Sequence, residues 1–190
     1  MTSRISHILS YLLVFGIWLS PLKGESVWVK YGNQVFRGVG DAKAVALSEA
    51  GVAAATGPLA ILWNPARLTS NTPRSIVYAH QERFAGAVTF DILGVDLKER
   101  AAANWSLVVI REAVQGIPRT TDALLYATGS LDDPTERVLS SNVTFFNQAQ
   151  WAAIVGFAIE RGEWRLGGNA KMLNHQLGEY SGWGVGFDVG

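Results

Sequence analysis

Between residues 151 and 190 the side chains alternate between apolar and polar or small with a period of two, and that pattern leaves few folds open. In a first run, Trp151, Ala153, Val155, Phe157 and Ile159 fall on one face. In a second, Trp164, Leu166, Gly168, Ala170 and Met172 share a face, opposite Arg165, Asn169, Lys171 and His175. In a third, Trp183, Val185, Phe187 and Val189 lie opposite Gly182, Gly184, Gly186, Asp188 and Gly190. Successive side chains of a β-strand point to opposite sides, so each run is a strand with one greasy face. Gly162 separates the first two runs where a tight hairpin turn is needed.

Upstream, residues 75–84 and 85–97 read as a hairpin and residues 104–114 as a third strand, giving about six strands from Ser75 onward. In the first three the choice of face is blurred by Asp91, Arg111 and Glu112. A long polar connection is expected at about residues 115–148, with Pro118, Asp132, Asp133 and Pro134 in it. Before the strands, residues 43–55 are rich in alanine and read as a short helix or packed coil. Asn64 followed by Pro65 is helix-start chemistry, because Asn caps and Pro at the first helical position leaves no N–H unsatisfied. One short helical turn is therefore expected at residues 65–69, ended before Pro73.

Arg4 and then an uncharged apolar run at residues 8–20, broken by Pro21 and Gly24, have the layout of a secretory signal. Cleavage is expected after Gly24, with Ser20 as the other candidate site and an uncleaved single-pass anchor as the alternative. That run is short for a spanning helix, and no later stretch is long and apolar enough to be one. Removing residues 1–24 takes Arg4 and Lys23 and no acid, so the exported part is slightly acidic and gives no basic field for nucleic acid.

Charged residues make up 17% of the chain, with 20 Gly and 7 Trp, a balance that suits β-structure in a membrane better than a fully solvated domain. The fold expected is mainly β: an antiparallel transmembrane β-barrel, incomplete in this chain, behind a short N-terminal helix-and-coil plug at residues 25–74. Trp105, Trp151, Trp164 and Trp183 fall near strand starts, as lipid-interface aromatics do. Arg165, Asn169, Lys171, His175 and Asp188 are the candidate lumen-lining residues. A barrel in lipid must close, and bacterial barrels have even strand numbers from about eight upward, so these residues are expected to be the front part of a longer protein that does not fold without the rest. The alternative is a soluble periplasmic β-domain acting as a binding module, whose apolar face looks into a core.

Two segments resemble a known family. Residues 40–68, with Trp63-Asn64-Pro65-Ala66, are similar to the N-terminal signature of the PorV/PorQ family, relatives of the FadL-type outer-membrane proteins. Residues 116–133, "GIPRTTDALLYATGSLDD", are similar to that family's insertion, and residues 171–190 to its recurring strand and turn. Arg67 stands where the family usually has Gly. The resemblance implies an outer-membrane barrel of a diderm bacterium that handles hydrophobic small molecules or secreted protein cargo. It also implies that Trp63, Asn64, Pro65 and Ala66 pack the N-terminal segment into the barrel mouth.

Enzyme chemistry finds no purchase. There is no Gly-x-Ser-x-Gly elbow and no cysteine; His80 and His175 are the only histidines beyond the signal, and neither has a ligand at helical spacing. No catalytic residue, cofactor or metal is expected; the partners expected are outer-membrane lipid and the transported or secreted cargo.

Overall fold

The computed structural model describes residues 34–37, 40–68, 74–97, 103–126 and 132–190. The expected signal at residues 1–24 lies outside them. Six strands form one antiparallel sheet in sequence order: β1 (Ile76–Arg83), β2 (Val88–Asp96), β3 (Ala103–Arg119), β4 (Thr144–Arg161), β5 (Trp164–Leu177) and β6 (Tyr180–Val189). Each strand pairs with its neighbours in the chain, and β1 and β6 are the edges of the sheet as described. Gly162, at φ 60°, supplies the left-handed position that the two-residue turn between β4 and β5 requires.

The expected polar connection at 115–148 is shorter in the structure. β3 continues through Arg119 and β4 begins at Thr144, so the connection is residues 120–143. These strand ends overhang the neighbouring strands, have polar residues such as Gln115, Asn147 and Gln148, and carry no clean alternation. The register also shifts between Val114 and Ile117, around Gly116 at φ 68°. The connection has structure of its own: helical turns at Thr121–Ala123 and Ser140–Asn142, and a bridge pairing Leu124 with Val138. Because β4 starts early, Trp151 lies in mid-strand and not near a strand start; Trp105 and Trp164 do lie near theirs.

The register assigns every strand residue to a face. On one face, called inner here, stand Ile92 of β2, Val108 and Ile110 of β3 and Ile154 of β4, each 0% exposed. The N-terminal segment covers them with Val35, Leu59, Ile61 and Leu68, and the core lies between the two layers. This differs from the expected polar interior. On β5 and β6 the inner face is mainly polar or glycine, as read from sequence, with Leu173 against the core, whereas on β2 to β4 it is mainly apolar, with Ser106, Glu112 and Gln150 also buried there.

Within that segment α1 (Ala42–Ala46) is a single turn and a half, capped by Asp41, which accepts from the Ala44 N–H at 2.9 Å. The Asn64-Pro65 signal gives a tight helical turn at Pro65–Arg67, ending slightly earlier than expected, with Asn64 accepting from the Ala66 N–H at 3.0 Å.

Candidate functional site

The N-terminal segment crosses the inner face transversely to the strands, and each of β2 to β5 meets it with a small or hydrogen-bonding residue. Pro58 and Leu59 lie over Gly94 of β2. The Ser106 hydroxyl of β3 donates to the Pro58 carbonyl at 3.1 Å. Ile61, 0% exposed, sits over Gly156 of β4, and Asn169 of β5 donates to the Ile61 carbonyl at 2.8 Å. Pro65 and Ala66 then rest on Gly167 of β5, where a Cβ would collide with their backbone. A side chain at Gly156 or Gly167 would hold the segment off the sheet, so the close approach explains why glycine stands there.

The Trp63-Asn64-Pro65-Ala66 box is therefore a docking element. Pro65 and Ala66 are buried, Asn64 caps the turn, and the Trp63 ring lies against Gly40 and Gly51. Next to it, a cavity of about 90 Å³ is lined by Phe36, Glu49, Leu62, Trp63, Ile154 and Lys171. The Lys171 ammonium pairs with the Asp188 carboxylate and stands 5.3 Å from the centre of the Phe36 ring.

Of the residues expected to line a lumen, all five stand on the inner face, since Arg165, Asn169, Lys171 and His175 share parity on β5 and Asp188 is the register partner of Asn169. They do not act alike. Asn169 is buried and clamps the segment, Lys171 and Asp188 form an ion pair, His175 is half-buried, and Arg165 is exposed.

The outer face is organised in rows that run across the strands. One row is Ile76, Val95, Leu107, Val155, Ala170 and Phe187; the next is Tyr78, Leu93, Val109, Ala153, Met172 and Val185. Toward the open end of the β4–β5 hairpin a row of His80, Asp91, Arg111, Trp151, Asn174 and Trp183 follows. In the other direction Trp105 packs on Phe157 with ring centres 5.3 Å apart, and Arg161 faces Trp164. Much of this face is bare: Trp183 is 78% exposed, Phe187 77% and Trp164 76%. Patches of this size on a protein surface mark contact with something apolar.

Sequence reasoning missed the polar cluster set into that face. Asp91 accepts from the Tyr78 hydroxyl at 3.0 Å, from His80 Nδ1 at 2.8 Å and from Arg111 at 3.3 Å, and the Arg111 guanidinium stands 5.6 Å from the centre of the Trp151 ring. The signal was the charges that blurred the faces of the first strands. In the connection between β3 and β4, Asp133 accepts from the Thr135 hydroxyl at 2.6 Å and its N–H at 2.9 Å, which holds the Asp133 carboxyl below its ordinary range.

Among the described residues no three His, Cys, Asp or Glu side chains gather as a metal site, and no helix is long and apolar enough to cross a membrane. Comparison with protein-family models, curated proteins and solved structures finds no match for this chain.

Proposed function

We propose that this chain belongs to an outer-membrane β-barrel of the PorV/FadL type, non-catalytic, that passes hydrophobic small molecules or secreted protein across that membrane, with the N-terminal segment as its plug. The observation that carries the reading is the pairing of the two faces. The N-terminal segment and the core occupy one face, while the other presents Trp, Phe, Met, Leu and Val outward across the strands. A soluble two-layer domain buries its apolar face and leaves the other polar. A barrel turns its apolar face to lipid and keeps its plug inside.

The dimensions agree. From Trp151 to Arg161, β4 covers about 33 Å at about 3.3 Å per residue. At the usual tilt of about 40° this is about 25 Å along the membrane normal, the height of a barrel's apolar band. Trp151 and Trp183 stand at one limit of the band and Trp164 at the other, where aromatic girdles belong. In such a barrel the β1 and β6 edges are paired, because unpaired backbone groups in hydrocarbon cost several kcal/mol each. The resemblance of residues 40–68 and 116–133 to the PorV/PorQ family points the same way.

Fractionation of source cells with an antibody against residues 41–66 tests the reading. A band in the outer-membrane fraction that changes mobility on boiling is the expected result. Release by osmotic shock, with mobility unchanged by heat, would sink the barrel in favour of a periplasmic binding domain.

A further inference from the structure

The outer face carries a cation beside a tryptophan at each limit of its apolar band. Arg111 and Trp151 are register partners across β3 and β4, and Arg161 and Trp164 are register partners across β4 and β5. Among the described strand residues, the outer face has no other Lys or Arg. Resting on the barrel reading, we propose that Arg111 and Arg161 bind lipid phosphates, one in each leaflet, and so fix the depth at which the sheet sits.

The placement supports this in three ways. First, the two arginines bound the span of about 25 Å estimated for the band, and phosphates lie just outside the hydrocarbon of each leaflet. Second, Arg111 is already oriented: Asp91 Oδ2 takes one of its N–H groups, and the Trp151 ring lies beside the guanidinium. A guanidinium has five N–H donors in a planar fork, so donors remain for a phosphate, which that fork suits. Third, the Asp91 carboxylate is spoken for by Tyr78, His80 and Arg111, and Glu82 lies against His80 one row farther out, at 3.5 Å. The acids nearest Arg111 are thus engaged with protein donors. Arg161, at the β4–β5 turn, is exposed beside Trp164.

The test is a cycle between protein and lipid. The full-length protein, with Arg111→Gln, Arg161→Gln, both, or the loop control Arg137→Gln, is folded into vesicles of phosphatidylglycerol or of phosphate-free digalactosyldiacylglycerol. The folding equilibrium is read from the heat-dependent gel shift. A surface cation near anionic lipid contributes about 1 kcal/mol, so each Gln substitution is expected to lower the equilibrium about fivefold in phosphatidylglycerol and to leave it unchanged in the galactolipid. Phosphatidylcholine vesicles separate phosphate recognition from bulk surface charge, and the loss is expected to persist there. Inorganic phosphate in the galactolipid samples should not restore a difference between wild type and variants. Equal losses in all lipids, or a loss confined to phosphatidylglycerol and shared by Arg137→Gln, would overturn the proposal while leaving the barrel intact. Failure of the wild type to enter any vesicle would instead remove the barrel reading on which it rests.

Discussion

The side-chain amide of Asn169 donates a hydrogen bond of 2.8 Å to the backbone carbonyl of Ile61, 108 positions earlier in the chain. Both residues are buried, Asn169 at 5% exposure and Ile61 at 0%. The bond ties the N-terminal segment to the middle of β5, at the point where the segment passes from Gly156 to Gly167.

Removing this bond leaves a carbonyl without its partner in the interior. Asn169→Leu is expected to destabilise the folded protein by about 1–3 kcal/mol, the cost of an orphaned buried polar group. Urea titration with the gel shift as readout measures it. The same variant should also expose residues 41–66 to protease faster than wild type.

The glycine track makes a sharper forecast. Gly167→Val puts a side chain into the backbone of Pro65 and Ala66, and Gly156→Val meets Ile61. Both variants are expected to lift the segment and to make residues 41–66 the first site of proteolytic nicking. Gly184→Ala adds its methyl to open space on the same face and should leave the digestion pattern unchanged. Equal digestion of all three proteins would mean that the segment does not dock on these glycines.

At the turn between β1 and β2, Phe84 and Ala85 hold φ of 52° and 55°, the left-handed region that side chains with a Cβ disfavour by roughly 1–2 kcal/mol. Ala85→Gly relieves that strain and gives back part of the gain in backbone entropy. A net stabilisation of about 0.5–1 kcal/mol is expected, read as a higher urea midpoint at unchanged slope.

Asp133 supplies a pH-dependent element outside the sheet. Its carboxyl is held low by the Thr135 hydroxyl and backbone N–H. A depressed folded pKa contributes stability that is present above the unfolded value of 3.8 and is lost as pH falls through the lower folded value. An NMR titration should place the Asp133 midpoint below 3.8, and Thr135→Val, which removes the hydroxyl, should move it upward. A midpoint at or above 3.8 in the wild type would contradict the assignment.

The strand faces were legible in the sequence where one face is small or polar, as in β5 and β6, because a period of two then shows directly. They were blurred in β2 and β3, where Asp91 and Arg111 stand on the outer face and Glu112 on the inner one, and the structure adds a second reason. In the run Leu107-Val108-Val109-Ile110, Val108 and Ile110 enter the core and Leu107 and Val109 look outward, so both faces are apolar and the alternation vanishes. The overhanging ends of β3 and β4 read as loop because Gln115, Gly116, Pro118, Asn147 and Gln148 break the alternation and the adjacent Phe145 and Phe146 fall on opposite faces. Asn64-Pro65 announced its own turn, since capping is a local effect. Where that turn docks was not legible: Gly156, Gly167, Ser106 and Asn169 come together only through the register of separate strands. The cluster at Asp91 is likewise a product of register, joining Tyr78 and His80 of β1 to Arg111 of β3.

The most direct test of the central claim is the environment of the outward residues of β4. Single nitroxide-labelled cysteines at positions 151, 155, 157 and 161 of the protein in lipid vesicles would be probed with oxygen and with a water-soluble nickel chelate. Positions 155 and 157 should be open to oxygen and closed to nickel, and nickel access should rise at 151 and 161, the two limits of the band. Nickel reaching 155 and 157 freely, or neither probe reaching them because another protein layer covers the face, would contradict a lipid-facing sheet.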